Sequence, residues 1–264
     1  HKNVLAQRRG CTMSETNQPR KASRLKMGLY SIAILGAASM AFSSLSGEDG
    51  LSGQAIGEQA TPSADTNGAW ELVAENEGFV TKRMAVEGSP IMAFRGETVV
   101  DVPLSKILTV FLDAERRKDW VDRFDSTQDV EVVSDLDRVY WIRFELPFPL
   151  SDRDYLLRAT GDIDPDNRVF VANIRSVSHP NRGEDDCCVR AEAFRTYYRF
   201  QALPGENKTK IEVEVHTDPK GMLPGWLVNM VQEDWPQKTL LSLAREAGKE
   251  DVPSHKKFVS WEAK

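Results

Sequence analysis

The chain has 264 residues, of which 41% are hydrophobic and 28% are charged, and its formal net charge at pH 7 is −6. This length and composition are typical of one folded domain with appendages. The acidic balance leaves no basic stripe to neutralise phosphates, which argues against a nucleic-acid partner. Three cysteines are too few for a disulfide framework, and four scattered histidines form no cluster for zinc, so we expect no metal and no cofactor.

The N-terminal part of the chain differs in composition from the rest. Lysines and arginines cluster at residues 20–26, an apolar run follows over residues 27–42, and small residues come after it. The run is shorter than the ~20 residues that cross a bilayer comfortably. We therefore interpret residues 1–44 as an extension with a signal-peptide-like segment and residues 45–68 as a flexible linker. This interpretation predicts export to the periplasm or the cell exterior after cleavage, and a retained membrane anchor is the alternative.

The pattern from Ala69 onwards is that of a folded domain, which we place at residues 69–248, with a tail over residues 249–264. Helical periodicity and helix-start signals predict helices at 70–76, from 103 to 112, at 116–123 and at 223–247. Alternation and flanking turn residues predict strands at 79–86, 91–100, 129–134, 138–146, 155–162, 168–177, 189–203 and 210–217. Short connections rich in Pro, Gly, Asp and Asn indicate antiparallel neighbours.

Alternating side chains show which face of this sheet is buried. Tyr140, Ile142 and Phe144 share one face of their strand, and charged residues share the other face of the last strand. One face of the sheet is therefore predicted to be apolar and the other mostly solvated. The C-terminal helix offers apolar side chains to cover the apolar face, namely Leu227, Met230, Val231, Leu240, Leu241 and Ala244. Pro236 is expected to bend this helix.

These elements predict an α+β protein in which a curved antiparallel sheet wraps around one long C-terminal helix. Four motifs in chain order then carry a family resemblance: residues 94–98 with Trp70 ahead of them, 110–120, 149–155 and 218–229. With them, the region from Trp70 to about Gly248 resembles the START domain, a lipid-transfer module, and is similar to its stand-alone bacterial members. The resemblance implies a helix-grip fold with an internal hydrophobic cavity. It also implies non-enzymatic binding of a sterol, phospholipid or similar lipid, with transfer between membranes.

One position departs from the pattern of this family. Several animal members carry an inward-facing arginine, part of a buried ion pair, six residues after the arginine of the Arg-Asp-aromatic motif. Here that motif begins at Arg153 and the corresponding position is Ala159, while Arg158 has the opposite parity. Tyr155, Leu157 and Ala159 are expected to face inward. Because a buried charge is costly unless paired, we expect a more uniformly apolar tunnel.

The predicted lining of the tunnel consists of apolar and aromatic side chains of inward parity. They are Trp120, Tyr140, Ile142, Phe144, Tyr155, Leu157, Phe170, Phe194, Tyr198, Val213, Leu227, Met230 and Val231. Plain core packing explains each of them taken alone, whereas the whole set on one concave face favours a ligand cavity. A tyrosine hydroxyl would supply the single polar contact that such a pocket needs.

Two segments at one end of the predicted tunnel carry apolar side chains that have no core to join. They are the proline-rich loop 146–150 and the start of the C-terminal helix. Their predicted gate and membrane-contact residues are Phe148, Leu150, Met222, Leu223 and Trp226. Ordinary packing between elements is the alternative interpretation.

Two groups of charged residues near these motifs have simple interpretations. Arg153 is expected to anchor the loop 146–150 to a carboxylate, such as Asp152 or Asp234. The acidic residues at 113–122 alternate with the basic residues 116–118, which is typical of a solvated helix face.

The leading hypothesis is thus a monomeric, non-enzymatic lipid-binding protein with a lipid ligand and transient membrane contact. The alternative is a helix-grip enzyme of the cyclase or aromatase type acting on a hydrophobic substrate, which needs an acid/base pair inside the tunnel. His216 has outward parity and His179 lies in a turn, so no histidine is predicted inside and no catalytic residue is assigned. A scaffold domain without a ligand is a third possibility.

Overall fold

The computed structural model describes residues 69–184, 186 and 188–262. The predicted extension, signal-like segment and linker lie outside the described residues. The helices are α1 (Leu104–Leu112), α2 (Arg117–Trp120) and α3 (Gly225–Ala247), and a 3-10 turn (Val259–Trp261) follows. The strands are β1 (Glu71–Asn76), β2 (Phe79–Met84), β3 (Ala93–Val100), β4 (Phe124–Ser134), β5 (Asp137–Phe144), β6 (Asp152–Asp164), β7 (Val169–Ser176), β8 (Cys188–Arg190), β9 (Glu192–Ala202) and β10 (Thr209–Asp218). None of the helices in these ranges is long and apolar enough to cross a bilayer.

The strands form one sheet in the order β1-β2-β3-β10-β9-β7-β6-β5-β4, and every neighbouring pair in this order is antiparallel. The short β8 pairs in parallel with the start of β6. The predicted α+β class and the curved antiparallel sheet with its C-terminal helix are confirmed.

Two predicted elements differ in the structure. The helix predicted at 70–76 is wrong, because this segment is strand β1 and pairs with β2. The turn between them contains only Glu77 and Gly78, both with positive φ, which is the geometry of a two-residue β-hairpin. The strand predicted at 189–203 is divided at Ala191, whose N–H donates to the carbonyl of Asp154 (2.9 Å) and leaves β8 beside β6.

Helix α3 lies against the concave face of the sheet with a buried stripe that includes polar residues. Gln232 and Thr239 are buried at helical spacing with their apolar neighbours. The helix is consequently rotated from the predicted orientation, and Met230 and Leu241, which were expected to face the sheet, are exposed. A pattern of apolar residues alone cannot reveal this rotation, because it gives no weight to buried polar residues such as Gln232 and Thr239.

Pro236 of α3 packs closely on β3. A Cβ atom on Gly96 would lie 2.5 Å from Cβ of Pro236 and 2.8 Å from Cζ of Phe79. Only a residue without a side chain lets the helix approach the sheet this closely.

The C-terminal strap, residues 249–262, is part of the core rather than the tail that we predicted. It crosses α1, where the hydroxyl of Thr109 donates to the carbonyl of Pro253 (2.9 Å). Phe258 is buried and its ring meets that of Phe170 edge-on at 6.0 Å between centroids. The strap therefore extends the hydrophobic core beyond α3.

The outer face of the sheet also carries a small buried cluster, at a place where the sequence indicated solvent. Val139, Trp141 and Leu156 are buried there. Trp141 Nε1 donates to Oδ2 of the fully buried Asp154 (2.7 Å), and Arg190 donates to the same oxygen (2.8 Å). The hydrogen-bonded carboxylate ties β5, β6 and β8 together.

Candidate functional site

Most residues predicted to line the tunnel lie buried between the sheet and α3. Those exposed by 5% or less are Trp120, Tyr140, Ile142, Phe144, Tyr155, Leu157, Phe170, Tyr198, Val213 and Val231. Leu227 is partly buried near the start of α3, and Met230 is 53% exposed.

Phe194, predicted to line the interior, faces the outside of the sheet because of a β-bulge. Arg195 pairs with His216 while Ala193 pairs with Thr217, so the alternation on β9 shifts by one residue. Ala193 takes the inward position and Phe194, 42% exposed, packs on the outer face with its ring 4.7 Å from that of His216. Strict alternation from Tyr198 could not reveal this shift.

A fully buried arginine is the main feature of the interior that the sequence did not predict. Arg117 donates through Nη1 to the hydroxyl of Thr127 (2.9 Å), and its guanidinium carbon lies 4.8 Å from the ring centroid of Tyr140. Nε and Nη2 of Arg117 have no hydrogen-bond partner among the described residues. Burial lowers the pKa of Arg117 to about 10, so the side chain stays charged at neutral pH.

The burial of Arg117 could have been predicted from its spacing to Trp120. Arg117 lies three residues before Trp120, so both share one helical face, and Trp120 had been placed inside. The interpretation of residues 116–118 as solvated was therefore wrong for Arg117, whereas Lys118 is exposed as expected.

The interior holds a second arginine, and the expected uniformly apolar tunnel is wrong. Ala159 does face inward, but its cross-strand partner on β5 is Arg138, which is 1% exposed. Arg138 Nη1 forms an ion pair with Asp129 at 3.0 Å. The inward charge that is missing from β6 at Ala159 is thus present on the adjacent strand β5.

Several uncharged polar atoms also point inward without partners. Tyr198 Oη, Thr196 Oγ1, Trp120 Nε1 and Gln232 Oε1 are buried and have no hydrogen bond among the described residues. Burial, with Tyr140 nearby, raises the pKa of Tyr198 well above its usual value, so its hydroxyl remains a donor. Native cores hold few such atoms, because each costs about 1–3 kcal/mol. These atoms are therefore candidate donors and acceptors for a polar group of a bound ligand.

The predicted gate residues lie on two segments that we name the lips. The first lip is residues 146–151 and the second lip is residues 219–224. Phe148 is 96% exposed on the first lip, and Met222 is fully exposed on the second. Leu150 and Leu223 are partly buried against the core, and Trp226, just beyond the second lip, is mostly exposed.

Arg153 joins the lips, but not through a carboxylate. It donates to backbone carbonyls of both lips. The two carboxylates expected to hold it have other partners: Asp152 pairs with Arg143 and Asp234 with Lys238. The anchoring role stays a prediction, and its expected partner was wrong.

The START domain family profile matches residues 53–234, so the chain belongs to the START domain family. Human phosphatidylcholine transfer protein is 26% identical over 179 residues, covering 67% of this chain and 82% of the relative. Among solved structures, human STARD10 superposes with a TM-score of 0.63 at 24% identity, covering 69% of this chain and 74% of that one. A STAR-related lipid transfer protein fragment from Xanthomonas axonopodis gives a TM-score of 0.59 at 22% identity, covering 68% and 99%. The likeness to these structures bears out the helix-grip fold.

Proposed function

We propose that the chain binds a phospholipid between the sheet and α3, with its phosphate at Arg117, and transfers it between membranes. The observation that carries this proposal is the fully buried guanidinium of Arg117, two of whose nitrogens have no partner among residues 69–262 as far as the structure describes them. A phosphate offers several acceptor oxygens and a negative charge, which suits a planar guanidinium. The similarity to phosphatidylcholine transfer protein supports a phospholipid over a sterol.

The register of the strands supports a headgroup-first orientation. Arg153, which contacts both lips, pairs across the sheet with Phe144. Tyr140 lies four residues before Phe144 in β5, away from the lips. At about 3.3 Å per residue, Tyr140 and the guanidinium over it lie roughly 13 Å inside the mouth. The acyl chains would extend from there along Ile142, Phe144 and Tyr155 toward the lips, stabilised by about 25 cal/mol per Å² of apolar surface removed from water.

We further propose that this protein catalyses no reaction. The buried carboxylates of the described residues are Asp154, Glu214 and Glu246, and each forms an ion pair with an arginine or a lysine. Asp129, beside the interior, is paired with Arg138. Acid/base catalysis in the interior would need such a group beside the substrate. Arg117 would act through charge and hydrogen bonds, because a guanidinium does not exchange its proton near neutral pH.

Replacing Arg117 with methionine is expected to reduce phospholipid binding at least tenfold. The variant keeps an unbranched apolar stem but removes the charged donors, and hydrogen bonds to charged groups contribute about 1.5–3 kcal/mol each. The measurement is the affinity for fluorescent phosphatidylcholine, together with native mass spectrometry of lipid that purifies with the protein. Arg117→Lys should retain part of the affinity.

The matched control is Lys118→Met, which removes a positive charge from an exposed neighbour on the same helix. It should bind phospholipid like the wild type. Unchanged affinity in a folded Arg117→Met variant would contradict the assignment of the phosphate to Arg117. A wild-type protein that takes up sterols but no phospholipid would contradict the lipid class.

We also propose that the lips and the start of α3 touch the membrane through Phe148, Met222 and Trp226. The double variant Phe148→Asp with Trp226→Asp is expected to reduce binding to phosphatidylcholine vesicles by more than tenfold, since each large apolar side chain contributes about 1.5–3 kcal/mol on burial. Vesicle co-sedimentation measures this, and Val133→Asp, at an exposed position on edge strand β4, is the control. Equal sedimentation of both variants and the wild type would exclude this contact surface.

A further inference from the structure

We propose that Arg153 is a latch that holds both lips of the mouth closed, and that release of this latch sets the rate of lipid exchange. This proposal rests on the proposed function for its lipid, but the latch itself can be tested without one.

The geometry of Arg153 connects three segments through one side chain. Its Nε donates to the carbonyl of Pro219 (2.7 Å) and its Nη2 to the carbonyl of Lys220 (3.3 Å), both on the second lip. Its Nη1 donates to the carbonyl of Ser151 on the first lip. Arg153 is the second residue of β6, which is paired on both sides, by β5 and by β8, at this point. A fixed strand therefore holds both lips by their main chain.

The second lip is shaped around this guanidinium. Lys220 and Gly221 have φ values of 53° and 75°, and these successive left-handed residues turn the chain back at the latch. A Cβ atom on Gly221 would lie 3.3 Å from Nη2 of Arg153. Glycine adopts this conformation without strain and leaves room for the guanidinium.

Other hydrogen bonds near the mouth hold each lip separately. The N–H of Leu146 donates to Oδ1 of Asp152 (3.0 Å), and the N–H of Lys220 donates to Oδ1 of Asp218 (2.8 Å). These bonds shape each lip without joining one to the other. Arg153 reaches both, so loss of its bonds removes the link between the lips in one step.

The acceptors suit a latch that must open. Arg153 is 3% exposed, and its three bonds are charge-assisted, so they strongly favour the closed arrangement. All three acceptors are uncharged carbonyls, which water solvates well once the lips separate. A carboxylate acceptor would instead form a stronger ion pair with the guanidinium, which would oppose opening more.

The first experiment measures exchange. The full chain, loaded with fluorescent phosphatidylcholine, is mixed with phosphatidylcholine vesicles in a stopped-flow instrument. Arg153→Met is expected to release lipid at least tenfold faster than the wild type, and Arg153→Lys, which keeps the charge but not the fork of donors, should lie between them. The control is Arg158→Met on the same strand, whose partner is Asp137 outside the tunnel, and its rate should be unchanged.

The second experiment needs no lipid. Amide hydrogen exchange of the unloaded Arg153→Met variant should accelerate at least tenfold in both lips, 146–151 and 219–224, with the strands β9 and β10 unchanged. Acceleration in one lip only, or in neither, would overturn the latch whether or not the protein binds phospholipid. If Arg153→Met fails to fold, Gly221→Ala replaces it in both experiments. Its added methyl group crowds Nη2 of Arg153, so the same increases in lipid release and in amide exchange are expected. A wild type that loads no phospholipid while its lips respond as described would reject the proposed lipid and leave the latch standing.

Discussion

Replacing Asp154 with alanine is expected to lower the free energy of unfolding by about 3 kcal/mol. The carboxylate is fully buried, and its Oδ2 accepts from Trp141 Nε1 (2.7 Å) and from Arg190 Nε and Nη2 (3.1 and 2.8 Å). Without it, a buried indole N–H and a mostly buried guanidinium lose their acceptor. Breaking one partner of a buried pair typically costs about 3–5 kcal/mol, and the partial exposure of Arg190 places this site at the lower end. Unfolding in guanidinium chloride, followed by tryptophan fluorescence, measures the change in the free energy of unfolding.

The matched control is the neighbouring pair of Asp137 and Arg158, which joins β5 and β6 at the other end of the same ladder. Arg158 is substantially exposed, so Asp137→Ala should change stability by less than about 1 kcal/mol. Adding Arg190→Met to Asp154→Ala should recover part of the loss, because the unpaired cation is then removed. Equal losses for Asp154→Ala and Asp137→Ala would show that the outer-face cluster does not depend on its buried carboxylate.

The sheet could largely be predicted from the sequence, because its strands alternate strictly and end at turn residues. Tyr140, Ile142 and Phe144 alternate with outward residues, and all three are buried as expected. The predictions failed where a local backbone feature, a turn or a bulge, interrupts the alternation of side chains. The two positive-φ residues after β1 make a hairpin that helical spacing cannot reveal, and the bulge near Arg195 reverses the parity of Phe194.

The polar part of the site could not be predicted by the same reasoning, because burial of a charge depends on neighbours from distant segments. Ala159 was correctly placed inside, yet the inference drawn from it failed, since parity on one strand says nothing about the residue paired across from it. Arg138 occupies that place and has Asp129 as its partner. In the sequence Arg117 resembles the other charged residues of its short helix. Only the structure shows that its guanidinium lies over the ring of Tyr140.

The mouth and the interior differ in how they use arginine. At Arg117 two donor nitrogens have no hydrogen-bond partner in the described part of the chain, which favours a ligand with acceptor oxygens. At Arg153 three donors are used on main-chain carbonyls, which favours a structural and mobile role. Two buried guanidiniums of the same chemistry are thus assigned different functions by their acceptors alone.

Replacing Phe258 with alanine is expected to lower the free energy of unfolding by about 3–5 kcal/mol, the usual loss when a buried phenylalanine is truncated. Phe258 is 2% exposed, and its ring contacts those of Phe170 (6.0 Å) and Trp261 (5.1 Å). Phe170 in turn meets Phe111 and Phe200, so the truncation would leave a cavity at the end of an aromatic cluster that reaches the tunnel lining. Thermal and denaturant unfolding of the full chain measure the loss.

Val259→Ala is the control for this effect, because Val259 is the next residue of the strap and is 47% exposed. It should change stability by less than about 0.5 kcal/mol. If the two variants differ as expected, the C-terminal strap is a structural part of the domain, although it lies beyond the residues matched by the family. A loss below about 1 kcal/mol for Phe258→Ala would instead mean that the strap rests on a core that is complete without it. In that case α1 and the sheet alone would cover the aromatic cluster around Phe170.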